Sequence, residues 1–455
     1  MKRLVNLLVE LSKYINIVLI AIYTFFAYRV LGTRDKLKQG KIYINMKVII
    51  FFFHFVCYFI LYLNTHNFKL VFLYGLEVIS LILVFTLYQW VYENLSKPIL
   101  HNMVFLLTIG YVMLTRLSFD KAFRQFIIAS AALGLCLIIP IIIDKMKYLS
   151  HLGWVYGIVG IMLLMSVLIW GVENYGATNW LSIAGITFQP SEFVKILFVF
   201  SIGALLWKNT DFTHVVLVTA LAAIHVLVLV IGKDLGGALL YFVTYLVMLF
   251  VATSKPLYLF GGLGAGSVAA FLAYKLFGHV RVRVMAWQDP WSLIDNQGYQ
   301  VAQSLFAIGT GGWFGMGLTK GLPTKIPVVD SDFIFSAISE EMGGFFALCL
   351  ILICINCFIL FINIAMKIED IFYKLVALGL SVMYAFQIFL SIGGVIKFVP
   401  STGVTLPFVS YGGSSVLSSV IMFSVIQGLY VLSQNRNRNI EKRRERKNKA
   451  KEKQK

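Results

Sequence analysis

Residues 278–332 read GHVRVRVMAWQDPWSLIDNQGYQVAQSLFAIGTGGWFGMGLTKGLPTKIPVVDSD. The stretch carries Arg281, Arg283, Asp289, Asp295, Lys320, Lys325, Asp330 and Asp332, with three tryptophans and a cluster of glycines. On both sides the chain is almost continuous apolar span. That contrast decides the fold class: a polar segment between runs of hydrocarbon-compatible sequence is a loop outside a bilayer, and its chemistry needs a use.

The 455 residues are 59% hydrophobic and 13% charged, against about 25% charged in an ordinary soluble domain. Many apolar runs reach the roughly 20 residues that cross a bilayer as a helix. The expected fold is an all-α polytopic membrane protein. Spans are expected near 15–31, 47–63 and 69–91, forming an N-terminal membrane extension over residues 1–100. Ten more follow over residues 101–435, near 102–116, 124–143, 151–171, 192–207, 213–231, 236–253, 256–277, 333–362, 371–393 and 412–433. Lys2, Arg3 and Lys13 before an apolar run suggest a signal peptide, but no small-residue cleavage site follows, so the first helix reads as uncleaved.

The net charge is +18, and the tail over 436–455 holds eleven Lys and Arg against three Glu. A basic tail after a last span fits a cytoplasmic end resting on anionic membrane lipid, so no nucleic-acid partner is expected. The basic segment 34–47 and the loops holding Lys145, Lys147, Lys208, Lys255, Lys367 and Lys374 then fall on the same side. The segments 116–124, 172–191, 278–332 and 394–411 fall outside and form one polar face. Thirteen crossings put the N-terminus outside, against the charge of Lys2, Arg3 and Lys13; a first helix lying along the membrane surface would leave twelve. The five cysteines sit in apolar runs, and Cys354 and Cys357 have no second ligand pair, so they read as packing residues. Glu77 is the one acid inside the N-terminal spans, with no partner legible in the sequence.

Five motifs run in order: FQPSEFVK (188–195), KDLGGAL (233–239), GYQVAQSLFAIGTGGWFGMGL (298–318), DSDFIFSAISEEMG (330–343) and TGVTLPFVSYGGSS (402–415). With them, residues 101–435 resemble the SEDS family (shape, elongation, division and sporulation), the RodA, FtsW and SpoVE proteins. The resemblance implies a ten-helix core with a large extracellular loop between its seventh and eighth helices. It also implies a peptidoglycan glycosyltransferase that polymerises lipid II at the outer face of the bacterial cytoplasmic membrane, partnered by a class B penicillin-binding protein that acts as transpeptidase. An alternative is a flippase for the same lipid. Residues 1–100 have no counterpart in the usual ten-span form.

By residue type, Asp332 is a helix N-cap or a general base taking a proton from an acceptor hydroxyl; the resemblance makes it the catalytic residue, in SDF where the family has TDF. Asp330 stands where the family often has His. It reads as a solvated loop charge, as a neighbour that raises the pKa of Asp332, or as a partner of Asp332 in holding a divalent cation, Mg or Mn. Arg124 in FRQ is a snorkelling arginine or a bidentate ligand for lipid pyrophosphate; the resemblance favours the second. The family's arginine in a GAxRW pattern is Asn179 here, so Arg281, Arg283 and Lys325 are candidates to compensate. Glu192 and Lys195 share a helix face, and a paired Lys195 would explain an ammonium drawn a turn into an apolar span. Asp234 in KDLGG, Gln300 in GYQ, and Ser414 and Ser415 complete the substrate side. The SYGGSS run (410–415) is either a helix N-terminal anion site or a tight turn. The glycines at 309–317 are not followed by GKS or GKT, so ATP hydrolysis is not expected.

Overall fold

The structure is a computed structural model that describes residues 2–146, 148–174, 177–183 and 186–452. Among these, thirteen helical segments are long and apolar enough to cross a bilayer. Three come first: α1 (Lys2–Gly32), α2 (Lys36–Thr65) and α3 (Phe68–Val91). Asp35 and Asn67 cap α2 and α3 by accepting from the backbone two residues on. Then follow α4 (Lys97–Leu117) and α5 (Phe119–Leu135), which continues through a 3₁₀ turn and Pro140 into α6 (Ile139–Lys145). Next are α7 (Gly153–Trp170), α8 (Pro190–Lys208), α9 (Phe212–Ile231), α10 (Leu235–Thr253) and α11 (Pro256–Leu276). The polar stretch that follows folds into α12 (Gly278–Gln288), α13 (Tyr299–Gly311) and α14 (Ile334–Met342). The last spans are α15 (Gly344–Lys367), α16 (Ile371–Val395) and α17 (Gly413–Glu452).

α4 lies at the centre, buried along almost its whole length, because α2 covers one side and α5 and α15 close the others. α8, α16 and α17 form a second buried layer beside it, and α10 packs on α8 and α16. α11 buries none of its residues and touches chiefly α10 and α12.

Three expectations change. The span expected over 333–362 is two elements. The chain turns at Gly343, whose φ of 91° suits glycine, and a Cβ there would stand 2.4 Å from the Gly315 nitrogen. Segment 336–342 therefore belongs to the frame of the polar stretch and not to a span. Four backbone bonds fasten it there: Met316 and Gly317 N–H donate to the Glu340 and Glu341 carbonyls, both at 2.9 Å, and Gly344 and Phe345 N–H donate to those of Gly312 (2.8 Å) and Trp313 (3.1 Å).

The loop expected over 172–191 contains an antiparallel meander of β1 (Val172–Asn174), β2 (Ala177–Ile183) and β3 (Ile186–Phe188), with Leu181 opposite Phe188. Nor does the first helix lie apart on a membrane surface. α1 packs lengthwise on α2 and α15, Asn16 meets the Met342 sulfur at 3.9 Å, and Tyr28 donates to the Leu352 carbonyl at 2.9 Å. α1 thus runs in the same direction as α15, with its start at the end of the bundle that carries the polar stretch. The partner of Glu77 is His54, 2.8 Å away across the α2–α3 contact, with both side chains fully buried.

Candidate active site

The site assembles at the end of the bundle where α5, α8, α10, α14 and α17 begin. The first two turns of α5 supply Lys121, Arg124 and Gln125. Lys121 Nζ meets Asp330 Oδ2 at 2.7 Å and lies 5.5 Å from the centre of the Tyr411 ring. Gln125 bridges the turn before α17: its amide donates to the Ser410 carbonyl at 2.8 Å and its oxygen accepts from Gly412 N–H at 3.1 Å. Arg124 follows Lys121 by three residues, so it shares that side of the helix. It is exposed, and among the described residues it makes no hydrogen bond or ion pair.

Asp332 lies two residues before α14, recessed but still reaching solvent. The 330–332 turn is locked from behind, as Ser410 Oγ donates to the Ser331 carbonyl at 2.5 Å and Tyr411 N–H to that of Asp330 at 2.7 Å. A Cβ on Gly403 would stand 3.4 Å from Asp332 Oδ2, and Arg283 of α12 donates to the adjacent Thr402 carbonyl at 3.3 Å. Desolvation raises the Asp332 pKa from its ordinary value and nearby Asp330 adds to the rise, while a hydrogen bond from Ser331 and the charge of Arg283 oppose it. The expected capping role passes elsewhere: Phe333 is the residue at the cap of α14.

On the far side, Lys195 Nζ meets Glu192 Oε2 at 2.7 Å and Gln387 Oε1 at 3.0 Å, with its side chain 2% exposed. Ser418 Oγ donates to the same Glu192 oxygen at 2.6 Å, and Gln387 donates to the Thr405 carbonyl at 3.0 Å. Asp234 caps α10 by accepting from Gly237 N–H at 2.8 Å, and it also takes contacts from Gln189 and Ser191, both at 3.3 Å. Its pKa is raised by desolvation, opposed by the Gly237 N–H, with Glu192 adding to the rise. Asn179 of β2 lines a small gap with Ser191 and Asp234.

The sequence candidates thus occupy distinct places. Glu192 and Lys195 share one hydrogen-bonded cluster with Gln387 and Ser418, while Asp234 has its own partners in Gln189, Ser191 and Gly237; Asp330 and Asp332 share one turn, adjoining the helix that carries Arg124. Ser414 and Ser415 are buried with their hydroxyls engaged inside the protein, the first accepting from Gln189 N–H at 3.0 Å and the second 2.6 Å from Thr405 Oγ1. Gln300 is half-buried on α13, one turn ahead of Ser304, which bonds Ser336 at 2.7 Å and the Val395 carbonyl at 2.8 Å. Lys325 is exposed. Lys121, Gln387 and Ser418 were not anticipated. Lys121 had a legible signal, lying one turn from Arg124, but the polar partners on α16 and α17 had none.

The Asp330 carboxylate is already met by the Lys121 ammonium, and among the described residues no three His, Cys, Asp or Glu side chains gather to hold a metal. The free cysteines pack as apolar residues, four of them buried.

A family model described as "Cell cycle protein", for FtsW, RodA and SpoVE, matches residues 97–435. Among curated relatives, the peptidoglycan glycosyltransferase RodA of Mycobacterium tuberculosis H37Rv is 33% identical over 73% of this chain and 77% of its own. The probable peptidoglycan glycosyltransferase FtsW of Saccharophagus degradans is 31% identical over 74% of this chain and 92% of its own. Stage V sporulation protein E of Bacillus subtilis is 32% identical over 70% and 93%. Two solved structures share the fold. One, from a peptidoglycan synthase complex that coordinates polymerization and crosslinking, superposes with a TM-score of 0.63 at 23% identity, covering 75% of this chain and 98% of that one. The other, the rod shape determining protein RodA of Thermus thermophilus, gives 0.53 at 23%, covering 74% and 96%.

Proposed function

The chain belongs to the FtsW, RodA and SpoVE family, and from that membership we propose that it is a multi-pass membrane glycosyltransferase that polymerises lipid II into peptidoglycan strands outside the cytoplasmic membrane. The observation that carries the proposal is Asp332: a recessed, solvent-reachable carboxyl of raised pKa at the root of the polar stretch, beside a helix turn carrying an unpartnered arginine. A base works best when its pKa approaches the operating pH, and desolvation moves Asp332 that way. In the reaction Asp332 takes the proton from the 4-hydroxyl of the acceptor's N-acetylglucosamine. The oxygen attacks the anomeric carbon of the donor's N-acetylmuramic acid with inversion, and undecaprenyl pyrophosphate leaves. Arg124 grips the leaving pyrophosphate with its fork of donors. The Glu192–Lys195–Gln387 cluster and Asp234 shape the opposite wall. No step is routed through a metal.

Flipping the same lipid would need polar groups along the whole crossing. The charged cluster here sits at one end of the bundle, which supports strand synthesis instead. A class B penicillin-binding protein is the proposed transpeptidase partner, and the basic end of α17 the proposed cytoplasmic terminus.

Purified protein with that partner and labelled lipid II tests the reading. Wild type should yield glycan strands and Asp332→Ala none, whereas Arg124→Ala should raise the KM for lipid II several-fold with an unchanged Tm. Normal polymerisation by Asp332→Ala sinks the assignment of the base, and lipid scrambling in vesicles without polymer by wild type sinks the whole reading.

A further inference from the structure

We propose that α1, from the segment outside the family-matched region, is a strut that sets the position of the catalytic stretch; the inference rests on the polymerase reading above. Its outer half touches the segment that leads to Asp332 at three successive places and the end of α14 at a fourth. Asn6 Oδ1 accepts from Lys320 Nζ at 2.6 Å. Val9, fully buried, lies under Gly317, where a Cβ would stand 2.9 Å from a Val9 methyl and where φ is 97°. The Tyr14 ring packs on Phe314 at 5.8 Å between centroids, and Asn16 reaches Met342 at the end of α14.

The segment so contacted is rigidly joined to the helix that follows Asp332. Besides the backbone bonds between 312–317 and 340–345, Gly321 N–H donates to Glu341 Oε1 at 3.2 Å and Leu322 N–H to Glu340 Oε1 at 3.0 Å. Arg116, at the outer end of α4, grips the same Glu341 oxygen at 2.9 Å. A displacement of residues 314–320 is therefore passed to α14, and so to Asp332 two residues before it.

The strut and the α2 and α3 helices that follow it are anchored to the core at several depths. Tyr23 donates to Asn102, Tyr28 to the Leu352 carbonyl, and Tyr58 bonds Thr115, next to Arg116. Tyr88 donates to the Leu133 carbonyl. An extension fixed to α4, α5 and α15 and touching the loop at its free end has the connections of a positioning element, for which a passive annulus of lipid-facing helices would have no need. Misplacing a reacting group by about 1 Å can cost roughly a hundredfold in rate, so small losses of this contact should be read in turnover.

The test uses the full-length chain with its transpeptidase and labelled lipid II. Val9→Asp sets a carboxylate under Gly317 and should lower kcat about tenfold or more, with the KM for lipid II within about twofold; Val9→Ile should retain the wild-type rate. Should Val9→Asp fail to fold, Tyr14→Ala takes its place, with the same expected split between kcat and KM. The inference is overturned if the folded variants polymerise at the wild-type rate, or if kcat and Tm fall together in proportion and Val9→Ile does not rescue. If wild type itself makes no polymer, the polymerase reading fails first, an outcome distinct from active wild type with equally active Val9→Asp.

Discussion

Asp332 is kept ionisable where ionisation is disfavoured. Its folded pKa lies above its unfolded value because of desolvation, so the charged form costs stability. The sign follows: the penalty is complete above the folded pKa and shrinks as pH falls from there toward the unfolded value of about 3.9. Asp332→Asn should therefore raise Tm relative to wild type at pH 7–8, and the gain should shrink toward about pH 4. In the same window the wild-type turnover should fall as pH drops, because the base becomes protonated. A Tm difference that grows on acidification contradicts the assignment. Lys195 shows the reverse economy. It is 2% exposed and paired with a Glu192 side chain 15% exposed, so Lys195→Met leaves a nearly buried carboxylate without its cation. Breaking a buried pair typically costs about 3–5 kcal/mol; thermal unfolding in detergent should show a loss of that order, with partial recovery in Glu192→Gln/Lys195→Met. A Lys195→Met protein as stable as wild type would show that the pair is not an anchor. At this scale the motifs told much: Asp332, Glu192, Lys195 and Asp234 were legible because ionisable groups beside apolar runs are conspicuous. Gln387 and Ser418 were not, since neutral polar residues inside helices give no sign of which helix they face.

The polar stretch is better ordered than its composition suggests. Periodicity over 333–362 gives one long apolar helix, and the break at Gly343 is visible only when the partner segment 312–317 is in place, because its backbone fills the space a side chain would need. Gly343→Val should cost at least the roughly 1–3 kcal/mol of a disfavoured backbone conformation. It should also reduce polymerisation more than Tm alone accounts for, since it moves α14 relative to α15; activity measured on folded protein at low temperature separates the two. An equally active variant would mean that the α14–α15 junction does not position Asp332. The small meander at 172–188 escaped the sequence reading because its strands are three to seven residues long and lie in a stretch rich in glycine and polar residues.

For the whole molecule, α1 running in the same direction as α15 fixes which terminus shares a side with the polar stretch. The N-terminus and residues 278–332 lie at one end of the bundle and the basic tail at the other. An impermeant maleimide added to intact spheroplasts should label Arg3→Cys and should label Glu441→Cys only after permeabilisation. Background should be low, because four native cysteines are buried and Cys349 is partly so. The inverse labelling pattern would reverse the orientation.

The sequence by itself determined the helical membrane fold, the number of spans and the candidates for acid–base and pyrophosphate chemistry, because hydrophobic runs of bilayer length and charges beside them are local properties. Tertiary structure alone decided the pairing of Lys121 with Asp330, of Lys195 with Gln387 and of Glu77 with His54. It also decided the seating of α1 against Gly317. Each of these depends on which helices become neighbours, and apolar spans carry almost no sequence record of that choice, since one lipid-compatible surface is much like another until packed.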